Sequence, residues 1–313
     1  MGVGLDRGPR DGGPRPARAT SSAPLREALL AVAADPRVTR AEKAVREAAT
    51  ELRWHEALRR RWREARAETG IRCAVASGSL EGAVVPTDVL REAVASRALT
   101  EAGTGDPSLD AVGGLWRAGA RLEALMPELV GRGRPEPPSP RALLASLHRD
   151  VTGPLAITGR LPLVEVGRPR PAGVPVREGG PGTAPDGATL EGRLAGLLTL
   201  IDLHGAPALV RAALIHAEMV CVRPFTAGNG AVGRLLVRHL LVRDGLEPTG
   251  TAVIDRYSAS APGAYRDAVA AYATGTPDGV IDWVVWQAEA ILTGIDEARQ
   301  VCRSIQAGVP GGR

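Results

Sequence analysis

A mostly α-helical fold is predicted by three features of the sequence. Apolar residues recur at helical spacing along both halves of the chain, extended alternation is confined to one short patch, and 44% apolar residues over 313 positions suffice for a real core. That length fits one large domain or a domain with a substantial appendage.

The elements follow in chain order. The first twenty residues, MGVGLDRGPRDGGPRPARAT, carry almost no large apolar side chains and cannot bury enough surface to offset the entropy of ordering. Residues 1–24 are therefore expected to form a disordered Arg/Gly/Pro-rich tail, basic enough to touch an acidic partner. Helical patterning then runs through LREALLAVAAD (25–35), AEKAVREAATELRWHEALRRRWREARAE (41–68), PTDVLREAVASRALTEA (86–102) and SLDAVGGLWRAGARLEALMPELV (108–130). In the last of these Leu109, Leu115, Leu122 and Leu125 fall at helix-compatible spacing. Thr87 and Asp88, after Pro86, supply the chemistry of a helix start. Residues 25–105 are read as an N-terminal helical region and 106–313 as the main domain.

A proline-rich break, GRGRPEPPSP (131–140), precedes a short helix at 140–150. The one extended patch is LPLVEVGRP (161–169), where Leu163, Glu165 and Gly167 alternate with Val164 and Val166. It runs into a long Gly/Pro segment to residue 188, and a loop of that length in a compact chain suggests a binding loop or a disordered segment, read here as a β-hairpin flap. From 189 onward the pattern is helical again in five stretches, the last being VIDWVVWQAEAILTGIDEARQVCRS (280–304).

Composition excludes several function classes. No stretch approaches the ~20 uncharged apolar residues of a membrane span, and the N-terminus lacks the apolar core of a secretory signal. Cys73, Cys221 and Cys302 are odd in number and far apart, which suggests neither a disulfide framework nor a zinc site and points to the reducing cytoplasm. Lys43 is the only lysine, so the arginine excess reads as a residue-usage bias, and a net charge of +4 makes no case for nucleic acid.

The chemistry concentrates in VRPFTAGNGAVGRLL (222–236). Gly228, Gly230 and Gly233 fit the dinucleotide fingerprint G-x-G-x-x-G, with MVCV as the preceding strand, TAVID as the next, and Asp255 about 20 residues on as a ribose-binding acid. Against this oxidoreductase reading, RPFTA intervenes before the first glycine and the chain beyond Asp255 is helical. The second reading places the loop between two helices. The N–H groups of GNG would then open a helix and, with the helix dipole, bind an anion. Arg234 and Arg238 share a face of that helix, and Arg234 reaches the same anion from its first turn. Phe225 is the only phenylalanine and Asn229 the only asparagine in the chain. Phe225 reads as a core anchor, and Asn229 as either a left-handed turn residue or a ligand.

RPFTAGNGAVGRLL resembles the Fic (Fido) signature H-P-F-x-(D/E)-G-N-G-R-x-x-R in degenerate form, matching at Phe225, Gly228, Asn229, Gly230 and Arg234. The likeness extends loosely over residues 106–300. It implies a Fic-type helical bundle with a small β-hairpin flap and an N-terminal helical region. It also implies magnesium-dependent transfer of AMP from ATP to a protein hydroxyl. Upstream, Ser77, Glu81 and Gly82 in VASGSLEGAVVP match the family's inhibitory pattern (S/T)-x-x-x-E-(G/N), which implies that Glu81 pairs with Arg234 and blocks productive ATP binding.

Three positions depart from the signature. Arg223 stands where the family has its histidine base, and a guanidinium has no lone pair to take a proton near neutral pH, though it binds phosphate well. Ala227 replaces the carboxylate that would hold magnesium, and Ala231 the first signature arginine. His216 lies two helical turns before Arg223, roughly 10 Å away along the axis, and both it and His239 read as structural.

The expectation is an adenylyltransferase-like cytoplasmic protein whose loop binds a nucleotide such as ATP, or another phosphate ligand, through Arg223, Gly228, Asn229, Gly230 and Arg234. Its AMP transfer (AMPylation) is weakened or lost, making it a pseudoenzyme under autoinhibition by Glu81. Three alternatives stay open: a transferase of AMP or another phosphate-bearing group by a variant mechanism, an NAD(P)-binding oxidoreductase, and a ligand-free interaction module. A protein target and a second copy of the chain, as a homodimer, are the protein partners considered. No membrane partner is expected.

Overall fold

Side-chain caps set where the helices begin. In the computed structural model, which describes residues 23–100, 103–130, 133 and 135–308, α1 (Ala23–Ala33) and α2 (Pro36–Arg53) are divided at Asp35. The Asp35 carboxylate accepts from the Arg37 N–H, and Pro36 takes the first helical position, where its missing N–H costs nothing. The tail assigned to residues 1–24 lies, up to residue 22, outside the described residues.

The single helix expected at 41–68 is instead the end of α2, a short α3 (Glu56–Arg60) and the start of α4 (Trp62–Leu80). The break is chemical: His55 Nδ1 accepts from the Ala57 N–H, a local cap that competes with helix continuation. After α5 (Thr87–Ala95), Asp106 caps α6 (Pro107–Glu123) through the N–H groups of Ser108 and Leu109, and Ser139 caps α7 (Pro140–Ile157).

The β-hairpin flap expected over 161–188 is not formed. Leu163–Glu165 make one 3-10 turn, and the rest is turn and loop into α8 (Gly187–Asp202). The alternation there buries no face, since Leu163 and Val164 are 78% and 71% exposed. Pro162, Pro169, Pro171 and Pro175 also remove the donors that a strand ladder requires.

The second half is helical as expected: α9 (Ala208–Val222), α10 (Asn229–Arg243), α11 (Asp255–Ser260), α12 (Pro262–Ala273) and α13 (Pro277–Gln306). MVCV (219–222) is the last turn of α9 and TAVI (251–254) is irregular. The strands demanded by the dinucleotide reading are therefore replaced by helix and loop, and among the described residues there is no strand.

α9 and α10 form the central antiparallel pair. They approach closely at Gly233, where a Cβ would meet His216 Cδ2 at 3.0 Å and Met219 Cβ at 3.1 Å. α13 packs against α9, tied to it by Trp283 Nε1 donating to the Ala213 carbonyl at 2.7 Å. α2 packs along α13, and α4 packs on α6, α11 and α13. Buried side chains from Leu29 to Ile305 form one apolar cluster, so helices of the 25–105 region and of 106–313 share a core. Among the described residues no helix is long and apolar enough to cross a membrane.

Candidate functional site

The loop between α9 and α10 is shaped from below. α9 ends because Arg223 takes a left-handed conformation (φ 47°, ψ 64°), costly for any residue with a Cβ. Arg170 holds the turn, donating from Nε to the Arg223 carbonyl at 2.9 Å and from its own N–H to the Pro224 carbonyl at 2.8 Å. Phe225 is fully buried and stacks on His148, ring centroids 3.8 Å apart and 12° from parallel. His148 Nδ1 accepts from the Gly167 N–H at 2.8 Å, so its proton sits on Nε2, which donates to the Ala227 carbonyl at 3.0 Å. Burial depresses this imidazole to about 4, which keeps it neutral in that role.

Asn229 closes the turn. Its Oδ1 accepts from the Phe225 N–H and its Nδ2 donates to the Phe225 carbonyl, both at 2.9 Å. Gly228 has φ +77°, and a Cβ there would also meet Thr152 Cγ2 at 3.0 Å. These constraints aim three donors at one point, where the Glu178 carboxylate sits. Gly228 N–H donates to Oε2 at 2.6 Å, Asn229 Nδ2 to Oε1 at 2.7 Å, and Asn229 N–H lies 3.2 and 3.3 Å from the two oxygens. Burial pushes Glu178 up to about 7, opposed by these donors and assisted by the charge of Glu81.

The flap segment is clipped to the loop on both sides of Glu178. Arg177 N–H donates to the Thr226 carbonyl at 2.7 Å, and its guanidinium pairs with Glu165 at 2.9 Å. Thr226 Oγ1 in turn donates to Glu165 at 2.6 Å. Arg223 Nη2 donates to the Gly182 carbonyl at 2.7 Å and the Pro181 carbonyl at 3.4 Å, so its guanidinium is engaged by the flap backbone.

Beyond the loop, Arg234 lies buried in the first turns of α10. Its Nη2 meets Glu81 Oε1 at 2.6 Å, its Nε donates to Ser77 Oγ at 3.0 Å, and Asp255 Oδ1 is 3.6 Å from Nε. Glu81 is the C-cap of α4, where the helix dipole disfavours a carboxylate, so Arg234 supplies the compensating charge. Gly82 follows with φ +82°; its N–H bonds the Ser79 carbonyl and that of Ala83 the Gly78 carbonyl, a Schellman ending. A Cβ on Gly230 would lie 3.3 Å from Arg234 Nη1 and 3.4 Å from Glu81 Oε1, which sets this ion pair beside the second glycine of the loop.

The sequence of this region, residues 140–241, matches the Fic/DOC family, and the match spans α7 to α10. The chain carries a Fic domain. Solved Fic structures share the fold. A Fic family protein from Desulfovibrio desulfuricans superposes with a TM-score of 0.62 at 19% identity, covering 83% of this chain and 74% of that one. Fic-1 from C. elegans gives 0.57 at 19% identity over 87% and 75% of the two chains. A Fic-domain-containing signaling protein from Bacteroides thetaiotaomicron gives 0.60 at 14% identity over 84% and 97%. No curated protein matches the chain.

The remaining sequence candidates have other partners. His216 is buried between Gln287 Oε1 (2.9 Å from Nδ1) and the Tyr265 hydroxyl (3.1 Å from Nε2), a core position away from the loop. His239 is buried on α10. Asp255, the ribose acid of the dinucleotide reading, faces Arg234 instead. Ala227 offers only its carbonyl, taken by His148, and the nearby carboxylates are engaged, Glu178 by N–H donors, Glu165 by Thr226 and Arg177, and Glu81 by Arg234, so this arrangement does not fit magnesium. Among the described residues no group of three or more His, Cys, Asp or Glu could hold a metal ion.

Sequence reasoning missed Glu178, Arg170 and His148. Glu178 is the one carboxylate between Glu165 and Asp186 in the Gly/Pro segment, and that isolation was the available signal.

Proposed function

We propose that this Fic-domain protein binds a nucleotide or another phosphate ligand at the N-terminus of α10, with AMP transfer weakened or lost. One observation carries the reading: two backbone N–H groups and the Asn229 amide converge on a single two-oxygen anion, the Glu178 carboxylate. A phosphoryl group offers the same pair of oxygens to the same donors, and the positive end of the helix favours its charge. Arg234 stands one turn on and, freed from Glu81, is the cation for the rest of a polyphosphate. Chemistry is where the site is weak. Arg223 has no lone pair with which to deprotonate an acceptor hydroxyl, and its guanidinium is engaged by flap carbonyls. Binding at this loop is accordingly expected without a magnesium requirement.

The experiment is calorimetric titration of the Glu81→Gly, Glu178→Gln double variant with ATP, with and without magnesium, and with NAD for comparison. ATP binding that disappears on adding Arg234→Ala, and that persists in EDTA, supports the reading. Absence of ATP binding by the double variant removes it and favours the second reading, an interaction module whose loop fills itself, for which the Glu178 contact is the specific observation.

A further inference from the structure

We infer that Glu178 is a built-in occupant of the anion site, so that a phosphate-bearing ligand enters only when the flap segment 177–182 lifts from the loop. The inference rests on the proposed phosphate reading and adds to it a second closure, distinct from the Glu81–Arg234 contact.

Three observations carry it. First, Glu178 takes every donor the loop offers at that point: the N–H groups of Gly228 and Asn229 and the Asn229 side-chain amide. A ligand phosphoryl cannot use those donors while the carboxylate holds them. Second, the contact belongs to a removable piece of chain. The segment forms no strand or helix, Gly179 and Gly180 follow Glu178, and its side chains are exposed or partly so. It is fastened by few bonds, chiefly Arg177 N–H to Thr226, Arg177 to Glu165, and Arg223 to the Pro181 and Gly182 carbonyls. Third, among the described residues no cation forms an ion pair with Glu178. The guanidinium nearest in sequence, Arg177, pairs with Glu165, and Arg234 pairs with Glu81. A partly buried carboxylate held by N–H donors alone, with a second carboxylate raising its cost, is well placed to be exchanged for a more highly charged anion.

The two closures act on different parts of one site and oppose each other. Glu81 takes Arg234, and its charge disfavours the ionised Glu178. Removing Glu81 alone therefore frees the arginine while making Glu178 more comfortable in the hole. Glu81→Gly by itself leaves the site shut.

The test compares ATP affinity by calorimetry in Glu81→Gly and in Glu81→Gly, Glu178→Gln, alongside backbone amide hydrogen exchange in wild type and Glu178→Gln. Gln keeps the size of the side chain but turns an NH2 toward the loop donors. When only a fraction of molecules is binding-competent, apparent affinity falls by that fraction, so the double variant is expected to bind ATP at least about tenfold more tightly. In Glu178→Gln the amides of Gly228 and Asn229 and the flap amide of Arg177 are expected to exchange faster, with the melting temperature showing that the fold is intact. Equal ATP affinity with and without Glu178 overturns the plug and leaves the phosphate reading standing. If neither variant binds ATP, the phosphate reading fails, and exchange decides the contact separately: unchanged protection at Gly228 and Asn229 overturns it, and faster exchange supports it as a closure of the loop.

Discussion

Asn229, the only asparagine in the chain, performs two jobs that no other residue type can combine. Its oxygen accepts from the Phe225 N–H while its nitrogen donates to the Phe225 carbonyl and to Glu178. Only a carboxamide has an acceptor and a two-hydrogen donor on one short side chain. The left-handed conformation expected of Asn229 is taken instead by Arg223 and Gly228; Asn229 opens α10 and shapes the turn through its side chain. Asn229→Ala leaves the buried Phe225 N–H and carbonyl without partners, and is expected to destabilise the fold by about 2–4 kcal/mol. Asn229→Asp keeps the acceptor but points a second carboxylate at the Phe225 carbonyl and Glu178, so it is expected to cost more than the alanine variant at neutral pH. Urea denaturation of the three proteins ranks them; an alanine variant as stable as wild type would mean that the loop holds its shape without this residue. Arg223 illustrates the opposite case. Its guanidinium chemistry was legible in the sequence, but its left-handed backbone and its turn toward Gly182 depend on Arg170 and the flap.

At the scale of elements, the ending of α4 decides whether Glu81 meets Arg234. Ala83 N–H bonds the Gly78 carbonyl only because Gly82 reverses the chain at φ +82°. Gly82→Ala meets no steric obstacle, since nothing lies within 4 Å of the added Cβ, so its effect is conformational alone. The expected cost is about 1 kcal/mol, seen as a lower melting temperature together with faster amide exchange at Ala83, which reports the loosened end of α4 directly. A variant that melts lower with Ala83 still protected would place the strain elsewhere. Elements were legible where their signals are local. Caps and proline at first positions mark α2, α6, α7 and α13, and apolar periodicity marks α8 to α10. The two failures have local causes too: His55 caps a new helix inside an unbroken periodicity, and the 161–169 alternation runs between prolines with no sheet to join. The candidate site was half legible for the same reason. The GNG loop and the Ser77, Glu81, Gly82 trio are contiguous patterns. His148, Arg170 and Glu178 meet the loop across 50 to 80 residues of chain and become neighbours only through the packing of α7 and the flap.

For the molecule as a whole, the consequence of gathering loop, flap and α7 around one buried imidazole is that stability and site geometry titrate together. His148 touches the flap through Gly167, the loop through Ala227 and the core through Phe225. Burial holds it at about 4, against an ordinary value of 6.5. Between those values the unfolded chain binds a proton that the native state refuses, so its contribution to stability is fully present above 6.5 and is lost as pH falls toward 4. His216, buried against Gln287 and Tyr265 and held at about 3, acts in the same direction over a wider window. Glu178, Glu247 and Asp255, all pushed upward by burial, act in the opposite sense, so the net profile of the wild type alone does not isolate the imidazole. Comparison with His148→Gln does, because the other groups are common to both proteins. Gln can still donate to the Ala227 carbonyl but does not titrate. Unfolding free energies measured from pH 7 to pH 4.5 are expected to fall more steeply for wild type, by up to about 1.4 kcal/mol per pH unit, the value of one proton. The wild-type advantage at pH 7 should therefore shrink as the solution is acidified, with flap amide exchange rising in step. Parallel curves for the two proteins would show that the fold accepts a proton on His148 as readily as the unfolded chain does, and that the Gly167–His148–Ala227 relay does not set the loop.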